Sequence, residues 1–281
     1  MSSSSDAEDT HPIPQSAFLR LPGEVRNQIY CHVLTIDSGI LDYSSSNSNG
    51  RVINKIQYVC QQLRTETAWL ELKVNPLIKL NGAFQQGVSA TERFLAFLGK
   101  VPPEKHCWLQ TVQLSNDARP LNIYDELVEC QKSLLLLTPA CEKNPQIHFE
   151  YHLAPFYDYK GIDRLEAEYP VMLMFCGIVM SRIIRQQVHD PTLFPYSEIR
   201  TLFDEQVAKC MEEDCAKQLK DSSPVVKELR KRIRFFPVQD LLQPDPFRGR
   251  AVHGTLASFA QVQGRFPAWE ATIKGWMQEG F

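Results

Sequence analysis

The chain is 281 residues long, 43% apolar and 22% charged, with 13 Gly, 18 Pro and 8 Cys and a net charge of −3. That length allows one large domain or two small ones with a sizeable core, and the composition excludes collagen, a coiled-coil rod and wholesale disorder. With Asp6, Glu8 and Asp9 set aside, the remaining 30 acidic residues equal the 30 basic ones, which argues against wholesale electrostatic attachment to nucleic acid or anionic membrane while leaving local patches open.

Residues 1–16 are rich in Ser, Asp and Pro and lack the basic start and apolar run of a secretory signal. They cannot bury enough surface to order themselves, so a disordered tail is expected. The first element begins at Phe18-Leu-Arg-Leu-Pro-Gly-Glu, where Pro22 suits a first helical turn and Glu24 suits the positive helix end. Val25, Ile29 and Val33, flanked by Tyr30 and Leu34, make one apolar stripe at helical spacing, and the helix should stop near Thr35. Residues 37–51 are turn material, either a loop or the tip of a hairpin joining Gly39–Tyr43 to Arg51–Ile53. A second amphipathic helix follows, with Ile56, Val59, Cys60, Leu63, Thr67 and Leu70 on one face, ending at Asn75-Pro76.

From residue 77 short strands alternate with helices. Leu77–Leu80, Leu109–Leu114 and Gln146–Leu153 are the strand candidates. Ser89-Ala-Thr-Glu92 has the form of a capping box before a helix over Thr91–Leu98, with Gly99 as its C′ residue. A second helix over Ile123–Leu137 should close at Thr138-Pro139. Strand starts 32 and 37 residues apart fit βαβ units or degenerate leucine-rich-type repeats, although Asn116 falls one position early for the Asn of such a repeat.

The last 120 residues read as mostly helical. Helices are expected over Ile162–Val188, Ser197–Lys220 and Pro224–Phe235, and a final one holds Trp269, Ile273 and Trp276 on one face. The apolar run Val171–Met180 is far shorter than the ~20 residues a bilayer requires and reads as a buried helix. The eight cysteines are scattered with no CxxC pair, which suits free, buried thiols in the cytosol or nucleus.

Two patterns invite chemistry. On a strand, His148, Glu150 and His152 share a face with ~7 Å between neighbours, so they are candidate metal ligands, with Asp158 and Asp163 as conceivable additions. The plain alternative is a polar outer face opposite the buried Ile147, Phe149, Tyr151 and Leu153. Lys227, Arg230, Lys231, Arg232 and Arg234 form a basic cluster that could meet phosphates. The acidic excess over residues 198–221, seven acidic against four basic, could instead neutralise it. Walker, GxGxxG, HExxH, GxSxG and kinase signatures are all missing, and His106-Cys107 is adjacent in sequence only.

Phe18-Leu-Arg-Leu-Pro-Gly-Glu-Val-Arg-Asn-Gln-Ile-Tyr and Tyr58-Val-Cys-Gln-Gln-Leu-Arg-Thr-Glu-Thr together resemble the F-box-like leader of a large group of uncharacterised fungal proteins. There an "LPxEIRxxIY" helix precedes a "VCRQxRxE" helix. The resemblance covers residues 18–75 and extends to Phe94-Leu-Ala-Phe-Leu-Gly99. It implies a substrate adaptor whose leader docks on the Skp-type adaptor of a cullin–RING ubiquitin ligase while the α/β region captures a target. The docking residues it implies are Leu21, Pro22, Ile29, Val59 and Cys60. Leu63 stands where an F-box has Trp, and residues 35–55 lengthen the connection between the helices.

The expected architecture is therefore α+β or α/β. A disordered tail (1–16) precedes the F-box-like helical leader (17–76), an α/β region of degenerate βα repeats (77–160) and a mostly helical carboxy-terminal region (161–281). The expected function is non-catalytic protein–protein recognition with no cofactor and no membrane partner. Three rivals stand beside the ligase adaptor: a scaffold without ligase binding, a metal-dependent enzyme using His148, Glu150 and His152, and a nucleic-acid binder using residues 227–234.

Overall fold

The computed structural model describes residues 16–43, 54–82, 87–116, 123–153 and 224–236, together with 208, 271, 275 and 278–280. The helices expected over 162–188 and, apart from Ala208, over 197–220, the Trp269, Ile273 and Trp276 face, Asp158, Asp163 and residues 1–15 of the tail lie outside them. The described chain mixes helices with a parallel sheet, as an α+β or α/β chain should.

Helix α1 runs over Gly23–Leu34 and leads into strand β1, Ile40–Asp42. Two short helices follow, α2 over Gln61–Thr67 and α3 over Leu70–Val74, then β2 over Leu77–Gly82. Helix α4 (Ala90–Leu98) connects to β3 (Thr111–Asn116), α5 (Ile123–Lys143) to β4 (His148–His152), and α6 (Pro224–Arg232) enters β5, Ile233–Phe236. The five strands stand side by side in chain order, every pair parallel. Strands of this one sheet come from the 17–76, 77–160 and 161–281 segments alike.

Because the order never reverses, right-handed crossovers put the described connecting helices on one face of the sheet. The strands' inward residues confirm which face. Leu41, Ile78, Val112, Phe149 and Ile233 align in one transverse row, and Leu80, Leu114, Tyr151 and Phe235 in the next; all are buried. They pack against Phe94 and Leu98 of α4, Leu134 and Leu137 of α5, and Leu229 of α6. Phe94 meets Phe149 edge-on at 5.2 Å between ring centroids.

Asn116 carries more than its weak sequence signal suggested. Buried at the end of β3, its amide donates to the Tyr151 hydroxyl (2.6 Å), and its Oδ1 accepts from the Ala90 N–H (2.9 Å) at the start of α4. The facing register position is Gly82, where a Cβ would lie 2.1 Å from Asn116 Oδ1. Only a residue without a side chain lets Asn116 reach the helix. Ser89 completes that helix start with the expected capping box, its hydroxyl accepting from Glu92 N–H while Glu92 accepts from Ser89 N–H.

Four expected elements differ. The second leader helix is broken at Trp69, which adopts φ +66° between α2 and α3. That conformation strains a bulky residue by roughly 1–3 kcal/mol, offset where the indole packs edge-on against Phe97. Gly99 closes α4 at φ −65° rather than in the left-handed region. Helix α5 passes through Pro139 to Lys143, because Ala140 and Cys141 continue its buried face and outweigh the lost N–H. Helix α6 stops at Arg232: Ile233-Arg-Phe-Phe alternates inward and outward and pairs with the edge of β4 as a strand. Strand β1 pairs in parallel with β2, and residues 51–53, the other arm of the hairpin alternative, lie outside the described residues.

Candidate functional site

The leader has its own small core, Tyr30 and Leu34 of α1 against Leu63 of α2, with Phe18, Ile56, Cys60 and Leu70 packed around them. A charged clamp fixes it. The Arg26 guanidinium donates to both Glu66 carboxylate oxygens (2.6 and 3.0 Å), Tyr30 Oη donates to the same carboxylate (2.6 Å), and Gln62 adds a fourth donor at 2.9 Å. Arg26 also donates to the carbonyls of Leu19 and Leu21, tying down the turn that precedes the helix. Hydrogen bonds from Arg26, Tyr30 and Gln62 pull the Glu66 carboxyl down to about 2. Burial, reinforced by the hydrogen bond to Glu66, pushes the Tyr30 phenol up to about 12.

This clamp joins the two quoted segments. Arg26 and Tyr30 sit one turn apart on α1, and Glu66 sits on α2, so the R, Y and E of the paired pattern meet in space. Composition and periodicity did not single out Arg26 or Glu66; their presence in the quoted pattern was the signal.

The clamp also decides which face of α1 is hidden. Arg26, Tyr30 and Leu34 face inward, so the stripe expected as one splits in two. Val25, Ile29 and Val33 form a separate ridge at four-residue spacing that is exposed, Val33 by 58%. Tyr58 and Val59, just before α2, are 63% and 72% exposed. Among the residues implied for docking, Pro22, Ile29 and Val59 are exposed, and Leu21 and Cys60 are half-buried. Cys60 is the N-cap of α2, its sulfur accepting from Leu63 N–H. Leu63 itself is buried in the leader core.

The leader is joined firmly to the sheet. Asn75 donates to the carbonyls of Leu34 (2.8 Å) and Glu71 (2.9 Å) and accepts from Ile36 N–H (2.8 Å), linking the end of α1 to the chain entering β2. Glu71 is buried, which raises its carboxyl above the usual range, and Asn54 donates to it at 2.9 Å.

His148, Glu150 and His152 do point to the outer face of β4 together, opposite buried Phe149 and Tyr151. Each has a different engagement. His148 is exposed, His152 stacks on Phe236 at 5.2 Å and has Gln113 Nε2 at 2.6 Å, and Glu150 Oε2 lies 3.9 Å from His152 Nε2. Among the described residues no group of three His, Cys, Asp or Glu side chains is arranged to hold a metal ion.

The basic cluster spans the end of α6 and the start of β5, with Lys227 exposed on the helix. Lys231 pairs with Glu228 (2.6 Å), Arg232 donates to the carbonyls of Cys141 and Asn144 at the end of α5, and Arg234 stands on the outer sheet face. No helix among the described residues is long and apolar enough to cross a membrane. Comparison of the chain with protein-family models, curated proteins and solved structures finds no match.

Proposed function

We propose that the chain is a non-catalytic protein–protein recognition module whose leader docks on a partner protein. The partner we propose is the Skp-type adaptor of a cullin–RING ubiquitin ligase, with the chain as its substrate adaptor. The observation that carries this reading is the exposed ridge Val25–Ile29–Val33 on a helix whose inward face is already fully engaged. Apolar anchors at i, i+4 and i+8 suit a helix laid into a partner's groove, and burying each would contribute ~1.5–3 kcal/mol before the costs of association. Pro22, Leu21, Val59 and Cys60 border the same leader and complete the docking set that the F-box resemblance implies.

The test is co-purification of the full chain with a Skp-type adaptor. A complex that forms with the native chain and is lost in the Ile29→Asp, Val59→Asp double variant supports the reading. No complex with the native chain overturns the ligase assignment.

The burial of Leu63 favours a second reading, an interaction scaffold without ligase binding, because the position that is Trp in an F-box is spent on the leader's own core. That reading expects the ridge to capture a protein other than a Skp-type adaptor. Both readings place the chain in the cytosol or nucleus, in keeping with the free thiols of Cys31, Cys60, Cys107 and Cys141.

A further inference from the structure

The face of the sheet opposite the helices is polar throughout its centre, which is unusual for a parallel sheet, whose strands ordinarily read as continuous apolar runs covered on both sides. Parallel register brings Asp42, Lys79, Gln113, Glu150 and Arg234 into one transverse row. The signs along it run negative, positive, neutral, negative, positive. Asp42 and Arg234 are exposed and the other three half-exposed. Lys79 and Arg234 have no ion-pair partner among the described residues. Beside this row the side chains are held in place: Ser115 donates to Asn81 Oδ1 (2.6 Å), and Gln113 sits 2.6 Å from a His152 ring stacked on Phe236. Gly280 lies against the far edge of β5, where a Cβ would be 2.9 Å from Arg234 Cβ.

We infer that this face is a second binding surface, taking an extended segment of a partner protein that runs across the strands and carries basic and acidic side chains in alternation. The argument is charge complementarity at fixed spacing. Strands ~4.8 Å apart put the four charges at about 0, 5, 14 and 19 Å along the row. An extended chain presents same-face side chains every ~6.8 Å, at about 0, 7, 14 and 20 Å. The pattern Lys-x-Glu-x-Lys-x-Glu therefore meets Asp42, Lys79, Glu150 and Arg234 in turn, with mismatches that long side chains absorb. Gln113 fills the gap between Lys79 and Glu150 with a hydrogen-bonding group. A polyanion such as nucleic acid would gain at Lys79 and Arg234 and be repelled at Asp42 and Glu150. This surface is distinct from the leader ridge and does not depend on what the ridge binds.

The test is an NMR titration of the full chain at low salt with two synthetic peptides of equal composition, the alternating Lys-x-Glu-x-Lys-x-Glu and the block Lys-x-Lys-x-Glu-x-Glu. The block peptide misplaces two of four charges in either chain direction. The alternating peptide should bind about tenfold more tightly, shift amides of β2 to β5, and weaken as salt is added. The Lys79→Glu, Arg234→Glu variant, which alters one half-exposed and one exposed side chain outside the core, should lose the preference. Equal binding of the two peptides, binding of neither, or preference for a single-stranded oligonucleotide overturns the inference.

Discussion

The leader and the sheet distribute polarity in opposite senses. In the sheet, apolar rows such as Ile78–Val112–Phe149–Ile233 lie inside and the charged row faces water. In the leader, a guanidinium, a carboxylate and a phenol are engaged inward, while Val25, Ile29 and Val33 stay outside. A core of three buried side chains cannot by itself fix the orientation of two helices, and a directional ion pair supplies what dispersion and burial do not. Spending the polar residues of α1 on that pair leaves its apolar ridge unused by the fold.

The contrast predicts where each region breaks. The largest loss should follow Phe149→Ala, which empties the centre of the sheet core beside Phe94 and should cost about 3–5 kcal/mol. Urea unfolding followed by circular dichroism measures it, and the midpoint should fall with little change in slope. Gly82→Ala comes next, at about 2–3 kcal/mol, because the new Cβ meets Asn116 Oδ1 and Ala90 N at 2.1 and 2.5 Å. Combining it with Asn116→Ser, which shortens the obstructing side chain, should recover part of that loss, a non-additivity that a double-mutant cycle reads directly.

In the leader the sensitive group is electrostatic. Glu66→Gln should cost about 1–3 kcal/mol, seen as faster amide exchange in α1 and α2 while β3 and β4 stay protected. The effect depends on pH with a definite sign. The Glu66 carboxyl is held at about 2 in the fold, against 4.5 for an ordinary glutamate. Its stabilisation is therefore complete above pH ~4.5 and disappears as pH falls through 2. Tyr30 acts at the other end: with its phenol raised to about 12, its contribution is intact below pH ~10 and is lost as pH rises through 12. Glu66→Gln should flatten the acid limb of the leader's stability profile, and Tyr30→Phe the alkaline limb.

How much of this was legible in the sequence follows the range of the forces involved. Local signals read correctly: the Ser89 capping box, the alternation of Gln146–Leu153, and the helix start at Pro224. The repeat spacing also pointed to parallel βα units. What failed depended on contacts distant in sequence. Strand β5 exists because the edge of β4 needs partners, and nothing within Ile233–Phe236 alone outweighed the helical run before it. The break at Trp69 is held by Phe97, and the continuation of α5 through Pro139 by the core beneath Ala140 and Cys141. For the candidate site, the docking residues were named from the resemblance. The split of the α1 stripe into a buried and an exposed half was not foreseen, because Glu66, which selects the buried half, lies 40 residues from Arg26.

The most direct measurement compares the urea unfolding midpoints of Ile29→Asp and Leu34→Asp, one residue from each half of α1. If the ridge is surplus to folding and displayed for a partner, Ile29→Asp should stay within about 0.5 kcal/mol of the native chain while Leu34→Asp loses several times that. An Ile29→Asp midpoint lowered as far as that of Leu34→Asp would mean that the ridge belongs to the interior, contradicting its role as a docking surface.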